Sequence, residues 1–227
     1  MEEQNIPQHI AVIMDGNRRW AKERGLPILE GHRKVADEIL EPLIEHAAKR
    51  GVKYMTFWAF STENWNRSEK EVQGIMSIFR HVIQKRWQIL HEKGVKIRVI
   101  GDMMRFSQDI KDALTKVIEQ TKDNTKITIV FALNYGGRDE MIRAMNKSRG
   151  EEDTSKKTFE QHLDTAGIPD PELIIRTGGE QRLSGFLLWQ SEYSELLFPS
   201  WYMPEFTPER LDELIEEYST RQRRFGK

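Results

Sequence analysis

The chain has no cysteine, so it cannot contain a disulfide framework, a thiol nucleophile or a cysteine-ligated zinc site. No apolar run approaches the length of a membrane span. The first four residues, Met-Glu-Glu-Gln, have the wrong charge for a signal peptide, so we expect a cytoplasmic protein. A net charge of −1, from 35 basic and 36 acidic residues, argues against a general nucleic-acid binder.

Three common motifs of phosphate and ester chemistry are also missing. The sequence has no Gly-x-x-x-x-Gly-Lys-Ser/Thr loop, no Gly-x-Gly-x-x-Gly after its first apolar run and no Gly-x-Ser-x-Gly elbow. These absences argue against a P-loop nucleotide hydrolase, a dinucleotide-dependent enzyme and a hydrolase with a nucleophile elbow.

The 227 residues instead alternate between short apolar runs and amphipathic segments. The apolar runs predict strands at 10–14, 54–60, 96–100, 126–133, 173–175 and 196–198. The periodic segments predict helices at 18–24, 34–49, 68–91 and 107–121, one ending near 147, one at 158–164 and one from 207 onwards. This pattern predicts a single α/β domain over residues 1–227, with a mostly parallel sheet of about six strands flanked by helices.

Four predicted strands are followed by polar loops that carry glycine or asparagine together with arginine. These loops are 15–19, 61–67, 134–138 and 176–182. The carboxyl ends of parallel strands meet at one edge of the sheet, where open α/β proteins bind their ligands. Arginine forks match phosphate oxygens, and a carboxylate such as Asp15 beside a phosphate suits Mg²⁺. The loops therefore predict a polyanion site, although Asp15 alone is equally consistent with an ordinary turn.

Several long motifs occur in a fixed order along the chain. They are Asp-Gly-Asn-x-Arg-Trp at 15–20, Ser-Thr-Glu-Asn-Trp-x-Arg at 61–67, Asn-Tyr-Gly-Gly-Arg at 134–138, Ile-Arg-Thr-Gly-Gly-Glu-x-Arg-x-Ser-x-Phe-Leu-Leu-Trp-Gln at 175–190, and a closing Arg-Arg-Phe-Gly at 223–226. Through these motifs nearly the whole chain resembles the cis-prenyltransferases, and among them the undecaprenyl diphosphate synthases.

The resemblance implies a Mg²⁺-dependent transferase with an apolar tunnel. Such an enzyme condenses isopentenyl diphosphate repeatedly onto an allylic diphosphate, such as farnesyl or geranylgeranyl diphosphate, and releases pyrophosphate. A growing chain is drawn into the tunnel because each buried CH₂ contributes about 0.8 kcal/mol. Ala59 is small where short-chain relatives carry a bulky residue, so we expect a medium- or long-chain cis-polyprenyl diphosphate such as undecaprenyl diphosphate.

The motifs also imply which residues of this chain correspond to the family's site residues. The implied catalytic residues are Asp15 and Asn64, and the implied metal-binding residues are Asp15 and Glu195. The implied substrate-binding residues are Gly16, Asn17, Arg18, Arg19, Trp20, His32, Ser61, Trp65, Arg67, Arg176, Arg182 and Ser184. Of these, Arg176, Arg182 and Ser184 would hold isopentenyl diphosphate. The group that takes its proton stays open between a side chain, such as Asn64 or His32, and a phosphate oxygen.

The resemblance further implies a homodimer, because residues 224–226 match a tail that completes the neighbouring subunit's site. The apolar product implies peripheral membrane contact for its release.

Two residues of the motif regions have simpler explanations than a role in the site, and a third differs from the residue that the family usually has. Glu71 completes a Ser-x-x-Glu capping box with Ser68, which we prefer to a catalytic role. Trp189 is interpreted as a core or interface aromatic. Ile28 stands where many relatives carry an arginine that helps to hold the allylic diphosphate, which leaves substrate affinity or preference open.

Three other functions are weighed against the long-chain synthase. Ile28 favours a short-chain or irregular prenyl diphosphate synthase. A non-catalytic partner subunit of a heteromeric prenyltransferase is disfavoured, because Asp15, Asn17 and Arg19 are all present. A generic Mg²⁺-dependent phosphohydrolase is the alternative outside the family.

Overall fold

Six parallel strands form one sheet at the centre of the protein. The computed structural model describes residues 5–150 and 155–221. Within them the strand order is β3-β4-β2-β1-β5-β6, and every neighbouring pair is parallel. The strands are β1 (His9–Ile13), β2 (Tyr54–Ser61), β3 (Val95–Ile100), β4 (Ile127–Tyr135), β5 (Leu173–Arg176) and β6 (Glu195–Leu197). The predicted fold class is confirmed.

Helices cover both faces of this sheet. They are α1 (Asn17–Glu23), α2 (Leu29–Lys34), α3 (Leu40–Arg50), α4 (Glu69–Lys85), α5 (Trp87–Glu92), α6 (Gln108–Thr121), α7 (Gly137–Lys147), α8 (Lys156–Glu160) and α9 (Pro208–Thr220). Short 3₁₀ turns occupy Thr62–Asn66, Met103–Arg105 and Met203–Glu205. The helix predicted at 158–164 is α8, which begins earlier and ends at Glu160. Among the described residues, no helix is both long and apolar enough to cross a bilayer.

The central strand β1 is buried along its whole length, as expected for a parallel strand covered on both sides. Successive side chains of a strand point to opposite faces. Ile10 and Val12 accordingly join one hydrophobic cluster with the side chains of α3 and α4. Ala11 and Ile13 join a second cluster on the other face, with Phe186.

Two longer predicted helices also differ from the structure. The segment predicted as 34–49 begins at Leu29 and contains a π-helix at Val35–Ile39. Pro42 explains it: a proline ring clashes with the carbonyl four residues earlier, and a π turn absorbs one extra residue. The helix predicted at 68–91 is interrupted at Arg86, where φ is −103° and ψ is −24°.

Candidate active site

The candidate site lies between the carboxyl ends of β1 and β5. These strands are neighbours, with Ile13 opposite Arg176. The chain leaves β1 towards β2 on one side, whereas β5 is on the other side. A parallel sheet has its ligand-binding crevice at such a reversal of strand order. The fold therefore brings Asp15, two residues beyond β1, next to Arg176, the last residue of β5.

Asp15 is held by two arginines and a backbone amide. Its Oδ2 accepts hydrogen bonds from Arg176 at 2.9 and 3.3 Å, and its Oδ1 lies 3.4 Å from Arg19. The Gly16 N–H donates to Oδ1 at 2.6 Å. Partial burial opposes ionisation, but the Arg176 hydrogen bond, the Gly16 N–H and both arginine charges outweigh it and lower the pKa of Asp15. The site therefore presents a carboxylate at neutral pH.

Thr177 fixes the backbone that carries this carboxylate. Its hydroxyl accepts from the Asp15 N–H at 3.0 Å and donates to the Asp15 carbonyl oxygen at 2.7 Å. The side chain is fully buried. Sequence reasoning quoted Thr177 inside a motif but assigned it no role, because only the pairing of β1 with β5 places it beside Asp15.

Gly16 allows the chain to turn sharply after β1 while it lies close to Tyr202. Its φ is +92°, a left-handed conformation that glycine adopts without steric cost. A Cβ atom at this position would lie 2.4 Å from a ring carbon of Tyr202. The glycine is therefore required both by its backbone conformation and by this close approach.

Arg176 joins the first loop to the loop after β5. Besides Asp15, it donates to the Arg182 carbonyl oxygen at 2.6 Å and to the Ser184 hydroxyl at 2.9 Å. The Arg176 side chain is only 7% exposed. The side chain of Arg182 itself extends outwards and pairs with Glu180. Three of the predicted substrate-binding residues thus meet at one place, with Arg176 as the buried member.

Two buried polar atoms beside Asp15 lack partners among the described residues. Asn17 donates through Nδ2 to the Met14 carbonyl oxygen at 2.8 Å, but its Oδ1 has no hydrogen-bond partner, and neither has His32 Nε2. Both residues line the main cavity. Burial, followed by the charges of Arg67 and Arg18, lowers the pKa of His32 to about 4. His32 is therefore neutral at physiological pH.

The carboxylate of Glu71 contacts two arginines that line the cavities, whereas we preferred to interpret it as part of a capping box. Ser68 does cap α4, accepting the Glu71 N–H at 3.4 Å. The Glu71 carboxylate, however, binds Arg67 at 2.9 Å and lies 3.7 Å from Arg18. It therefore orients two predicted phosphate-binding arginines instead of closing a capping box.

The loop after β2 is closed by its own side chains. The Asn64 side-chain oxygen accepts the Ser61 N–H at 3.0 Å, and the Ser61 side chain accepts in return from the Asn64 N–H. Trp65 donates from Nε1 to Asn134 Oδ1 at 2.8 Å. Ser61 and Asn64 line the main cavity, whereas Trp65 is held beneath the loop by Phe60 and Asn134.

Two predicted site residues do not join this group within one chain. Trp20 packs against the Arg24 guanidinium, 4.6 Å from the ring centroid. Glu195 lies opposite Leu173, the first residue of β5, and pairs with Arg221 at 3.1 Å. Three residues of strand, about 10 Å, separate that position from the end of β5. The two predicted metal-binding carboxylates, Asp15 and Glu195, thus occupy opposite edges of the sheet.

A cavity of about 470 Å³ runs inwards from these polar groups. Asp15, Asn17 and Arg176 line its mouth, and its interior is lined by apolar side chains of the helices and of β2, β3 and β4. A second, more open cavity of about 810 Å³ shares Asp15 and continues outwards past Arg19 to Ile28. The site can therefore hold an anionic group at the mouth and an apolar chain inside.

The residues at the mouth fit a magnesium ion that is shared with substrate phosphates. Among the described residues, no three histidine, aspartate or glutamate side chains form a ready-made metal site. Magnesium usually keeps one or two protein carboxylates and takes its remaining ligands from phosphates and water. Asp15, ionised and 31% exposed at the side chain, provides such a carboxylate.

Comparison with known proteins agrees with this geometry. A family model described as putative undecaprenyl diphosphate synthase matches residues 13–226. An isoprenyl transferase of Rhizobium meliloti is 49% identical over 230 residues, covering 98% of this chain and 93% of the relative. An isoprenyl transferase of Thermotoga maritima is 43% identical over 227 residues, covering 97% of each.

Two solved structures share the fold along nearly their full length. Lavandulyl diphosphate synthase from Lavandula x intermedia, in complex with dimethylallyl diphosphate, is 34% identical with a TM-score of 0.93, covering 98% of this chain and 99% of that chain. A probable undecaprenyl diphosphate synthase from Campylobacter jejuni is 30% identical with a TM-score of 0.85, covering 98% and 100%.

Proposed function

Because the chain belongs to the undecaprenyl diphosphate synthase family of isoprenyl transferases, we propose that it condenses isopentenyl diphosphate repeatedly onto an allylic diphosphate. Each step forms a cis double bond and releases pyrophosphate. The observation that carries this proposal is the inner cavity, which has a charged mouth and an apolar interior. Phosphates of the substrate bind at the mouth, and the prenyl chain enters the interior.

The allylic diphosphate binds beside Asp15 in this proposal. Arg18 and Arg19 face the outer cavity, and the unpartnered Asn17 Oδ1 and His32 Nε2 lie at the boundary with the inner one. A hydrogen bond to a charged group contributes roughly 1.5–3 kcal/mol, so several together bind a diphosphate firmly. As pyrophosphate leaves, the two arginines, and His32 in the tautomer that carries its proton on Nε2, stabilise the negative charge that develops on it. The Asn17 amide oxygen can only accept a hydrogen bond, so it does not contact a phosphate oxygen directly.

Isopentenyl diphosphate binds at the loop after β5 in this proposal. Arg176 is buried and already positioned by Asp15 and Ser184, so it loses little side-chain freedom when it takes a phosphate. The Arg182 side chain is exposed and pairs with its neighbour Glu180, so it is able to turn towards the same phosphate. The two diphosphates then lie on either side of Asp15.

Asp15 would hold Mg²⁺ at the allylic diphosphate. The ion supplies Lewis-acid stabilisation of the departing pyrophosphate. The chain's own contribution is to keep Asp15 ionised through Arg176 and Arg19 and to fix its backbone through Thr177.

A diphosphate oxygen is the favoured acceptor for the proton that leaves the isopentenyl unit. His32, with its pKa lowered to about 4, is a weak base. Asn64 carries an amide, which hydrogen-bonds but does not take up a proton at neutral pH, and its oxygen is already engaged by Ser61. Both side chains therefore position the substrate in this proposal.

We propose a medium- or long-chain product from a farnesyl or geranylgeranyl starter, because the apolar interior extends far beyond the mouth and Ala59 leaves space in its wall. We also propose a homodimer with peripheral membrane contact for product release. The closing residues 224–226, on which the dimer prediction rests, lie outside the described residues.

A second candidate is a synthase of short or irregularly joined prenyl diphosphates. Ile28 lies at the rim of the outer cavity, 44% exposed, where an arginine would add a phosphate contact. The structural similarity to lavandulyl diphosphate synthase, with a TM-score of 0.93, is a second reason to test for such a product.

Product analysis tests both candidates. The purified protein is incubated with Mg²⁺, labelled isopentenyl diphosphate and each allylic diphosphate of increasing length in turn. Asp15→Asn should abolish incorporation, and Asp112→Asn, an exposed aspartate bound to Gln108 on α6, should not. A ladder that ends in one long cis product supports the first proposal, and one branched or short product supports the second. Pyrophosphate release without chain extension would refute both.

A further inference from the structure

The inner cavity extends, away from its polar mouth, to apolar residues that the family motifs do not include. Its far wall is formed by Trp87, Leu90, Ile97, Leu114 and Val117. We propose that Trp87 is the stop residue that limits the length of the prenyl chain, and that Arg86 is the positioning residue that holds it there. This inference rests on the proposed condensation reaction and deepens it by assigning the residues that set product length.

The course of α4 places Trp87 opposite the charged mouth. The helix begins at Glu69, just after the loop at the carboxyl end of β2, and leads back past the sheet. Eighteen residues separate Glu69 from Trp87, which corresponds to about 27 Å of helix. After α5 the chain enters β3 at Val95, at the amino edge of the sheet. A chain that grows inwards from Asp15 therefore meets Trp87 last.

Trp87 is the largest side chain at this end. It lines the cavity and packs against the hydrophobic core, and its outer side is partly exposed to solvent. The His91 ring lies 5.9 Å from its own, at an angle of 36°. The indole is therefore a wall between the apolar interior and water, and a smaller side chain there would lengthen the cavity or open it.

Arg86 fixes this wall to the opposite helix. It donates to the Asp37 carbonyl oxygen at 2.7 Å and to the Glu41 carboxylate at 2.9 Å. Asp37 lies in the π-helix, whose pairing joins each carbonyl to the N–H five residues later. For Asp37 that residue is Pro42, which has no N–H. The guanidinium of Arg86 thus binds a carbonyl for which a continued π-helical pairing would offer no N–H.

A second cation strengthens the same connection. Lys93, just after α5, contacts the carboxylates of Glu41 and Glu45. The chain on both sides of Trp87 is therefore bound to the π-helix and α3. A chain that reaches the indole cannot push it aside without breaking these contacts, so extension ends there.

The test is the product length of Trp87 variants of the full chain. Trp87→Ala should shift the final product upwards by at least one five-carbon unit, measured by mass spectrometry after dephosphorylation. Trp87→Leu, which keeps an apolar side chain, supplies the same test if the alanine variant does not fold. Trp189→Ala is the matched control: Trp189 packs on Phe159, away from the cavity, and its removal should leave the products unchanged.

The variant Arg86→Met tests the positioning role of Arg86 separately from the role of Trp87 in blocking the prenyl chain. It keeps the indole but removes both hydrogen bonds, so the product should spread over several lengths while the KM for isopentenyl diphosphate stays unchanged. Active Trp87→Ala or Trp87→Leu enzyme with wild-type products would overturn the inference. Failure of the wild-type protein to extend any starter would instead overturn the proposed reaction, which keeps the two outcomes distinct.

Discussion

Acid should destabilise this protein through His32, and the size of the effect follows from its buried environment. Burial lowers the pKa of His32 to about 4 in the folded protein, against 6.5 for an ordinary histidine. As the pH falls below 6.5, the unfolded chain binds the proton while the folded chain does not. Stability is therefore lost between pH 6.5 and 4. At pH 4.5 the expected loss from this one residue is about 2–3 kcal/mol, at 1.36 kcal/mol per unit of pKa difference.

The assay is urea unfolding followed by tryptophan fluorescence, at pH 7.5 and pH 4.5, for the wild type and His32→Gln. The free energy of unfolding in water is obtained by linear extrapolation. The wild type should lose about 2–3 kcal/mol more than the variant over this pH change, because glutamine does not titrate. Other titrating groups, including the buried His9 with its pKa of about 4, are present in both proteins and cancel in the difference.

Two controls test whether the loss of stability at low pH comes from His32. Between pH 7.5 and 8.5 the histidine is neutral in both states, so the stability difference between the two proteins should be constant. His32→Asn, a second non-titrating variant, should reproduce the pH dependence of His32→Gln. Parallel stability curves for wild type and variants from pH 7.5 to 4.5 would show that His32 is not held neutral by its surroundings.

Three further predictions concern the site itself. Arg176→Lys removes the fork that binds Asp15 and should raise the KM for isopentenyl diphosphate roughly 10- to 100-fold, from a lost charged hydrogen bond of about 1.5–3 kcal/mol; steady-state kinetics with an unchanged KM would contradict it. Ala59→Leu should shorten the product because the side chain enters the cavity wall, and identical products in mass spectrometry would refute this. Gly16→Ala should lower the melting temperature, because its Cβ would lie 2.4 Å from Tyr202; an unchanged thermal midpoint would count against the required close approach.

The strands and their carboxyl-end loops were predictable because they depend on local patterns. β1 is an apolar run after His9 and is buried throughout, and the polar loop that follows it supplies Asp15. Arg176 could likewise be placed at the end of β5 from its position after Leu-Ile-Ile. Parallel pairing then brings the two residues together at one edge without any further information.

Features that depend on contacts between distant segments were not predictable. The Glu71 carboxylate was expected to close a capping box, which is a local motif. It binds Arg67 in the preceding loop and also lies near Arg18 on α1, a contact that only the fold creates. The interruption at Arg86 leaves no local signal, since the residue is bound by Asp37 and Glu41 from a different part of the chain. Glu195 was grouped with Asp15 by motif alone, and only the strand register shows that they lie at opposite edges.

The π-helix at Val35–Ile39 also sets the rotation of α3 relative to α2, so that both helices face the same cavity. Each residue of a regular α-helix turns the chain by about 100°, so one residue too many would rotate everything after it away from the sheet. A π turn takes up that residue locally. His32 before it and Leu40 after it consequently line the same cavity. Deleting one residue from the turn would rotate one half by about 100° relative to the other and swing one of these two side chains out of the wall.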